Sequence, residues 1–216
     1  MTPPSADWAL TVITDAALSQ GRSDLDIARA AIAGGATVVQ LRQKHGSTRE
    51  MALLGHALRR LTREAGVTFI VNDRLDVALA VDADGVHVGQ DDLPADAARA
   101  LLGPGRLLGV SAATPDEARA AHAAGADYLG VGAVYATGSK ADAGAPIGLD
   151  GLALVAQSTP LPVVAIGGIG PGRAAPCIAH GAAGVAVISA IVSQDDPQAA
   201  ARRLRAEIDA ARVGKR

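Results

Sequence analysis

The sequence predicts an α/β protein, a single (β/α)8 TIM barrel built on a parallel eight-stranded sheet. Two observations lead there. Short β-branched runs alternate with Ala- and Leu-rich amphipathic stretches from end to end, eight of each in 216 residues. Each crossover therefore carries a helix, which implies parallel pairing. A doubly wound open sheet is the competing architecture, but no G-x-G-x-x-G follows the first strand or occurs elsewhere, and no GxxxxGK is present.

The strands are expected at 9–14, 37–42, 68–72, 84–88, 107–111, 127–132, 162–167 and 184–189, from runs such as "TVVQLR" and "PVVAIG". Helices are expected near 24–34, 49–65, 73–80, 94–102, 115–124, 149–157, 171–180 and 195–212. The stretch "TPDEARAAHAAGA" shows the logic of one helix. Thr114 caps it, Pro115 suits its first turn, Asp116 and Glu117 complement its dipole, and Gly125 ends it. All of 1–216 is expected to form one domain, with residues 1–8 as a flexible N-terminal tail.

Composition narrows the function. Apolar residues make up 49% of the chain and aromatics 2%, so the core must be built from small and branched aliphatic side chains. A net charge of -2 supplies no basic field for nucleic acid. No run is long enough to span a bilayer, and "MTPPSADWAL" has no signal-peptide pattern. The lone Cys177 lies in a helical stretch, where a buried, inert thiol is expected. A cytoplasmic protein acting on small molecules fits, and a homo-oligomer stays open.

In a barrel, chemistry sits at the C-terminal ends of the strands. Strand two ends in "QLRQK", where period two puts Gln40, Arg42 and Lys44 on one face and Leu41 and Gln43 on the other. Two cations and an amide suit an anion with several oxygens. Strand three ends on Asn72 and Asp73, and strand four on Gln90, Asp91 and Asp92. Alone, each carboxylate reads as a turn or helix cap. Together, beside Arg42 and Lys44, they suggest a Mg²⁺ site that also takes phosphate oxygens.

His87 reads as a packed structural residue, and the other histidines lack triad spacing. Ser111 suits a cap or a ligand contact equally. The loop 136–148 is long and rich in small residues, and its Thr137, Ser139 and Lys140 can bind oxygens. Gly167, Gly168 and Gly170 after strand seven allow backbone amides to approach an anion, and Gly168 with Ser189 suits the phosphate site of barrels at strands seven and eight. The mouth thus offers a metal-plus-cation site and a neutral phosphate cradle.

The motifs "QLRQK", "NDRLDVALAVDADGVHVGQDDLP", "GVS", "TGSK", "AIGGI" and "VAVISAI", in this order and spacing, resemble those of the thiamine phosphate synthases, with the likeness running from Leu10 to the last helix. That resemblance implies a Mg²⁺-dependent transferase. It would join a hydroxymethylpyrimidine diphosphate to a thiazole phosphate, releasing pyrophosphate by a dissociative route. It implies Asp73 and Asp92 as Mg²⁺ ligands and Arg42, Lys44 and Lys140 as the catalytic cations. The pyrimidine diphosphate would be held by the 40–44 stretch (Gln40, Leu41, Arg42, Gln43 and Lys44) together with Asn72, Ser111 and Lys140. The thiazole phosphate would be held by Thr137, Gly138, Ser139, Gly168, Ile188 and Ser189.

The chain departs from the family pattern at three places. Ala113 replaces a frequent histidine, Gly132-Ala133 a frequent Gly-Pro, and Ser139 a frequent threonine. The nearest alternatives are a thiazole tautomerase-like isomerase, which uses a histidine at the position of Ala113, and a non-catalytic barrel that binds phosphate ligands.

Overall fold

The computed structural model describes residues 6–138 and 144–214. Among them, eight parallel strands pair each with the next, and β8 returns to β1 to close the barrel. The strands are β1 (Leu10–Ile13), β2 (Val38–Leu41), β3 (Thr68–Asn72), β4 (Gly85–Val88), β5 (Leu107–Ala112), β6 (Tyr128–Val131), β7 (Val163–Ile166) and β8 (Gly184–Val187).

The helices are α1 (Asp24–Ala33), α2 (Thr48–Ala65), α3 (Leu75–Ala80), α4 (Ala95–Leu102), α5 (Pro115–Ala123), α6 (Gly148–Gln157), α7 (Ala174–Ala179), α8 (Ser189–Val192) and α9 (Pro197–Val213). α8, a single turn directly after β8, overlaps the expected strand only at Ser189 and otherwise falls where no element was expected. A short 3-10 turn at Ala16–Leu18, absent from the sequence reading, follows β1. α3 starts two residues later than its pattern suggests, because Asp73 sits at φ 63, outside the helical region.

Local signals explain most boundaries. Ser47 and Glu50 form a reciprocal capping box on α2, and Gly66 ends that helix in the left-handed conformation. Thr114 accepts the Glu117 N–H to cap α5, and Asp196 caps α9 ahead of Pro197.

Strand alternation sorts the core into two layers. Leu10, Val39, Leu41, Phe69, Val71, Leu108 and Leu129 face outward and pack under the helices. Ile13, Val38, Ile70, Leu107, Tyr128, Val164 and Ala186 face inward and fill the barrel. Trp8, at the end of the stretch expected to be a tail, is buried in this inner layer and stacks on Tyr128 with ring centroids 3.9 Å apart. The outer layer tolerates little extra volume. A methyl group on Gly34 would stand 2.5 Å from Ala201 Cβ, so α1 and α9 meet through small residues.

Cys177 is fully buried, and burial pushes its thiol up to about 11, which keeps it protonated and inert. Among the described residues, no helix is long and apolar enough to cross a membrane.

Leu58 on α2 is fully buried in the outer layer. Leu58→Ala should lower unfolding free energy by about 2–5 kcal/mol, read from the midpoint of a urea titration.

Candidate active site

The inward alternation that fills the barrel with aliphatic side chains turns polar at the C-terminal ends of the strands. A cavity of about 420 Å³ opens there. One wall carries Arg42, Lys44, Asn72, Asp73, Asp92 and Ser111; the opposite wall carries Thr137, Gly168, Ile188 and Ser189. A second hollow beside it, about 650 Å³, is lined by Thr137, Gly138, Gly168, Ser189, Arg173 and Arg203 among others. Ser139 and Lys140 lie outside the described residues.

Gln40, Leu41 and Gln43 are not among the residues lining the cavity. Gln40 is buried, 4% exposed, in the barrel interior beside Tyr128. Leu41 packs under the helices. Gln43 carries a buried side-chain oxygen that has no hydrogen-bond partner among the described residues.

Arg42 is the most constrained cation at the mouth. Its Nη1 donates to Asp15 Oδ2 at 2.6 Å, and both side chains are buried. The other Asp15 oxygen accepts the Ala17 N–H and starts the 3-10 turn. Arg42 Nε is buried and has no partner among the described residues. One edge of the guanidinium is thus fixed by Asp15. Asp15 escaped the sequence reading because "TDAAL" looks like ordinary turn chemistry. Its signal was its place at the end of β1, beside the strand bearing Arg42.

The carboxylates of β3 and β4 are held in different ways. Asp73 adopts its left-handed conformation while its N–H donates to the His87 carbonyl, and Lys44 Nζ lies 3.6 Å from its Oδ2. A non-glycine residue there costs of order 1 kcal/mol, and such strain clusters at functional positions. Asp92 folds back so that its Oδ2 accepts the Gly89 N–H at 2.7 Å. Two carboxylates on one cavity wall fit Mg²⁺, which takes few protein oxygens and fills its shell with water and phosphate. Among the described residues, no group of three or more His, Cys, Asp or Glu side chains is placed to hold a metal alone.

Ser111 does not cap α5; Thr114 does. Ser111 Oγ lies 3.0 Å from His87 Nε2, and its carbonyl accepts from Gln90 Nε2. Ala113, at the position of the family histidine, donates its N–H to Glu117 Oε2, so this first-turn carboxylate is fastened to the backbone. At β7, Gly168 has φ 64, and a side chain there would collide with the Ala136 carbonyl 2.5 Å away. Its own carbonyl accepts from Arg173 Nη1, and that guanidinium lies 4.8 Å over the Tyr135 ring. The β7–β8 side, expected to be neutral, therefore has Arg173 and Arg203 lining its outer hollow.

A closed parallel barrel with its charged and hydroxyl side chains gathered at the strand ends defines a barrel enzyme that handles a small molecule at its mouth. Comparisons with known proteins give its kind. Residues 10–191 match the family model described as thiamine monophosphate synthase. The thiamine-phosphate synthase of Moorella thermoacetica is 58% identical over 205 residues, spanning 95% of this chain and 98% of that protein. The thiamine-phosphate synthase of Chloroflexus aurantiacus is 60% identical over 200 residues, spanning 93% and 92%. A solved thiamine phosphate pyrophosphorylase from Pyrococcus furiosus superposes with a TM-score of 0.89 at 43% identity, covering 95% of this chain and 98% of that one. The chain belongs to the thiamine monophosphate synthase family, and it is a transferase.

Behind Arg42 lies a second buried acid. Asp24, at the start of α1, has a buried Oδ1 without a partner among the described residues. Burial, and then the nearby Asp15 charge, raise its pKa from 3.8 to about 6. An acid whose folded pKa is raised binds more protons folded than unfolded. Its stability contribution is therefore present below 3.8 and is lost as pH rises to about 6. Asp24→Asn should exceed wild type in unfolding free energy by about 1–3 kcal/mol above pH 7. Urea titrations across pH should show that gap closing toward pH 4.

Proposed function

We propose that the chain transfers the hydroxymethylpyrimidine group of a pyrimidine diphosphate to the nitrogen of a thiazole phosphate, giving thiamine phosphate and pyrophosphate. The observation that carries the reading is one cavity with two unlike walls. Arg42, Lys44, Asn72, Asp73 and Asp92 stand on one side, and Thr137, Gly168, Ile188 and Ser189 on the other. The relatives are named thiamine-phosphate synthases, and this division of chemistry suits the two phosphorylated substrates that the resemblance implies.

Arg42, Lys44 and Lys140 would meet the diphosphate, with the Asn72 amide donating alongside. Arg42 comes to this task already oriented by Asp15, so little reorganisation is needed when charge develops. Asp73 and Asp92 would hold Mg²⁺, which when bound neutralises charge on the leaving diphosphate. The C–O bond between the methylene and the diphosphate breaks first, and the electron-rich aminopyrimidine carries the resulting cation. The thiazole nitrogen then supplies its electron pair to that carbon, so no side-chain nucleophile or strong base is required.

Ser111 is assigned to the pyrimidine, with Gln40 beneath it in the barrel interior; Leu41 and Gln43, expected to join them, do not line the cavity. Thr137, Gly138, Ser139, Gly168, Ser189 and the Ile188 backbone are assigned to the thiazole phosphate. Holding the acceptor nitrogen near the cation and keeping water out direct the cation to the right partner.

Purified protein should release pyrophosphate only when both substrates and Mg²⁺ are present, measured by a coupled pyrophosphate assay. Activity that survives a chelator would overturn the metal assignment. Asp92→Ala should lower turnover by about 10²-fold or more and leave thiazole phosphate affinity near wild type in calorimetry. An equal loss of that affinity would count against the two-wall division.

A further inference from the structure

The barrel interior contains a buried polar chain that the catalytic groups do not explain. Ser111 Oγ lies 3.0 Å from His87 Nε2, and His87 Nδ1 lies 3.1 Å from the Tyr128 hydroxyl. Three residues from β4, β5 and β6 are thereby linked in the barrel interior. The Gln40 side chain lies beside the Tyr128 ring's hydroxyl. Only Ser111 and His87 reach the cavity; Tyr128 and Gln40 lie beneath it.

The surroundings are shaped to hold these rings. A methyl group on Gly109 would overlap the Tyr128 ring, and one on Gly130 would come within 2.8 Å of His87 Cε1. Trp8 supports the other side of the Tyr128 ring by stacking. Gly109 pairs in register with both His87 and Tyr128, and Gly130 pairs with Ser111. Two inward glycines on adjacent strands therefore make room for two inward rings. That arrangement exceeds what an apolar filling of the barrel requires.

A chain of this kind has a direction. A neutral imidazole donates from one nitrogen and accepts at the other, so the bond at Nδ1 sets what Nε2 offers to Ser111. Tyr128 is fully buried, and burial drives its phenol far above its ordinary range, so it stays neutral with a proton to donate. The partner that the geometry gives this proton is His87 Nδ1, 3.1 Å away. With Nδ1 accepting, a neutral His87 would carry its hydrogen on Nε2 and donate it to Ser111 Oγ, which would leave the Ser111 hydroxyl hydrogen for the cavity.

We propose that His87 and Tyr128 are positioning residues that fix Ser111 as a hydrogen-bond donor into the cavity, selecting a ligand ring with an acceptor nitrogen. This deepens the proposed function, on which it rests for the ligand, because a pyrimidine ring nitrogen is such an acceptor. Neither residue supplies charge to the leaving group. Their loss should therefore appear in pyrimidine recognition, not in the thiazole phosphate site.

The test begins with a measurement that needs no activity. ¹⁵N NMR of the His87 ring in the ligand-free protein should show the Nε2–H tautomer, and the Nδ1–H tautomer would overturn the proposal. Tyr128→Phe keeps the ring on Trp8 and removes only the hydroxyl. It should bring the other tautomer into the spectrum and raise KM for the pyrimidine diphosphate about tenfold. KM for thiazole phosphate should stay within about twofold, inside the spread expected of an uncoupled site. His87→Gln can still offer an amide N–H to Ser111 and should keep a lower pyrimidine KM than His87→Ala. Equal KM values for those two variants, or equal rises in both substrates' KM, would contradict a positioning role. Absence of pyrophosphate release from wild type would remove the proposed reaction, while the tautomer measurement would still decide the direction of the chain.

Discussion

Closure of the parallel barrel imposes the constraint on which the rest depends: each strand residue faces either the interior or the helices, with no third choice. On β2, Val38 and Gln40 take the interior while Val39 and Leu41 take the helix layer. The same alternation continues past the strand to bring Arg42 and Lys44 to the cavity. The apolar residues that stabilise the barrel and the polar residues that line the cavity are thus successive positions on the same strands. Packing errors in the lower layers would be transmitted directly to the site, because the Tyr128 ring stacked on Trp8 also carries the hydroxyl beside His87.

The second dependence is electrostatic. Arg42 is buried, and a buried cation is costly unless paired. Asp15 provides that pair from the adjacent strand end. Lys44 is handled differently: it is about half exposed and stands farther from its carboxylate, Asp73. One cation is therefore fixed and one adaptable, which suits a ligand whose charge distribution changes as a bond breaks. The Asp24 carboxylate behind this cluster lowers stability near neutral pH, a local cost beside a functional site.

The barrel was legible in the sequence because it depends on short-range periodicity. "TVVQLR" and "PVVAIG" each carry the pattern of a buried parallel strand, and the observed strands lie within the expected ranges apart from one residue at the end of β5. The mouth was legible as a set of strand ends. What the sequence hid was pairing between distant residues. Nothing local in "TDAAL" marks Asp15 as the partner of Arg42, 27 positions away. His87 reads as a packed residue, and packed it is, but its partners come from β5 and β6. Gly109 and Gly130 were the available clue, since two inward glycines beside an inward histidine require a large side chain to fill the gap. Arg173 and Arg203 escaped notice because they lie on the helical side of the glycine turn after β7, beyond the strand-end pattern.

Two anion sites of different chemistry in one mouth would let inorganic pyrophosphate and thiazole phosphate bind together. Calorimetric titration of wild type with pyrophosphate, with and without saturating thiazole phosphate, measures whether the two compete. Pyrophosphate binding should depend on Mg²⁺, and its affinity should be unchanged or strengthened by thiazole phosphate. Mutual displacement of the two anions, or pyrophosphate binding indifferent to Mg²⁺, would contradict this arrangement.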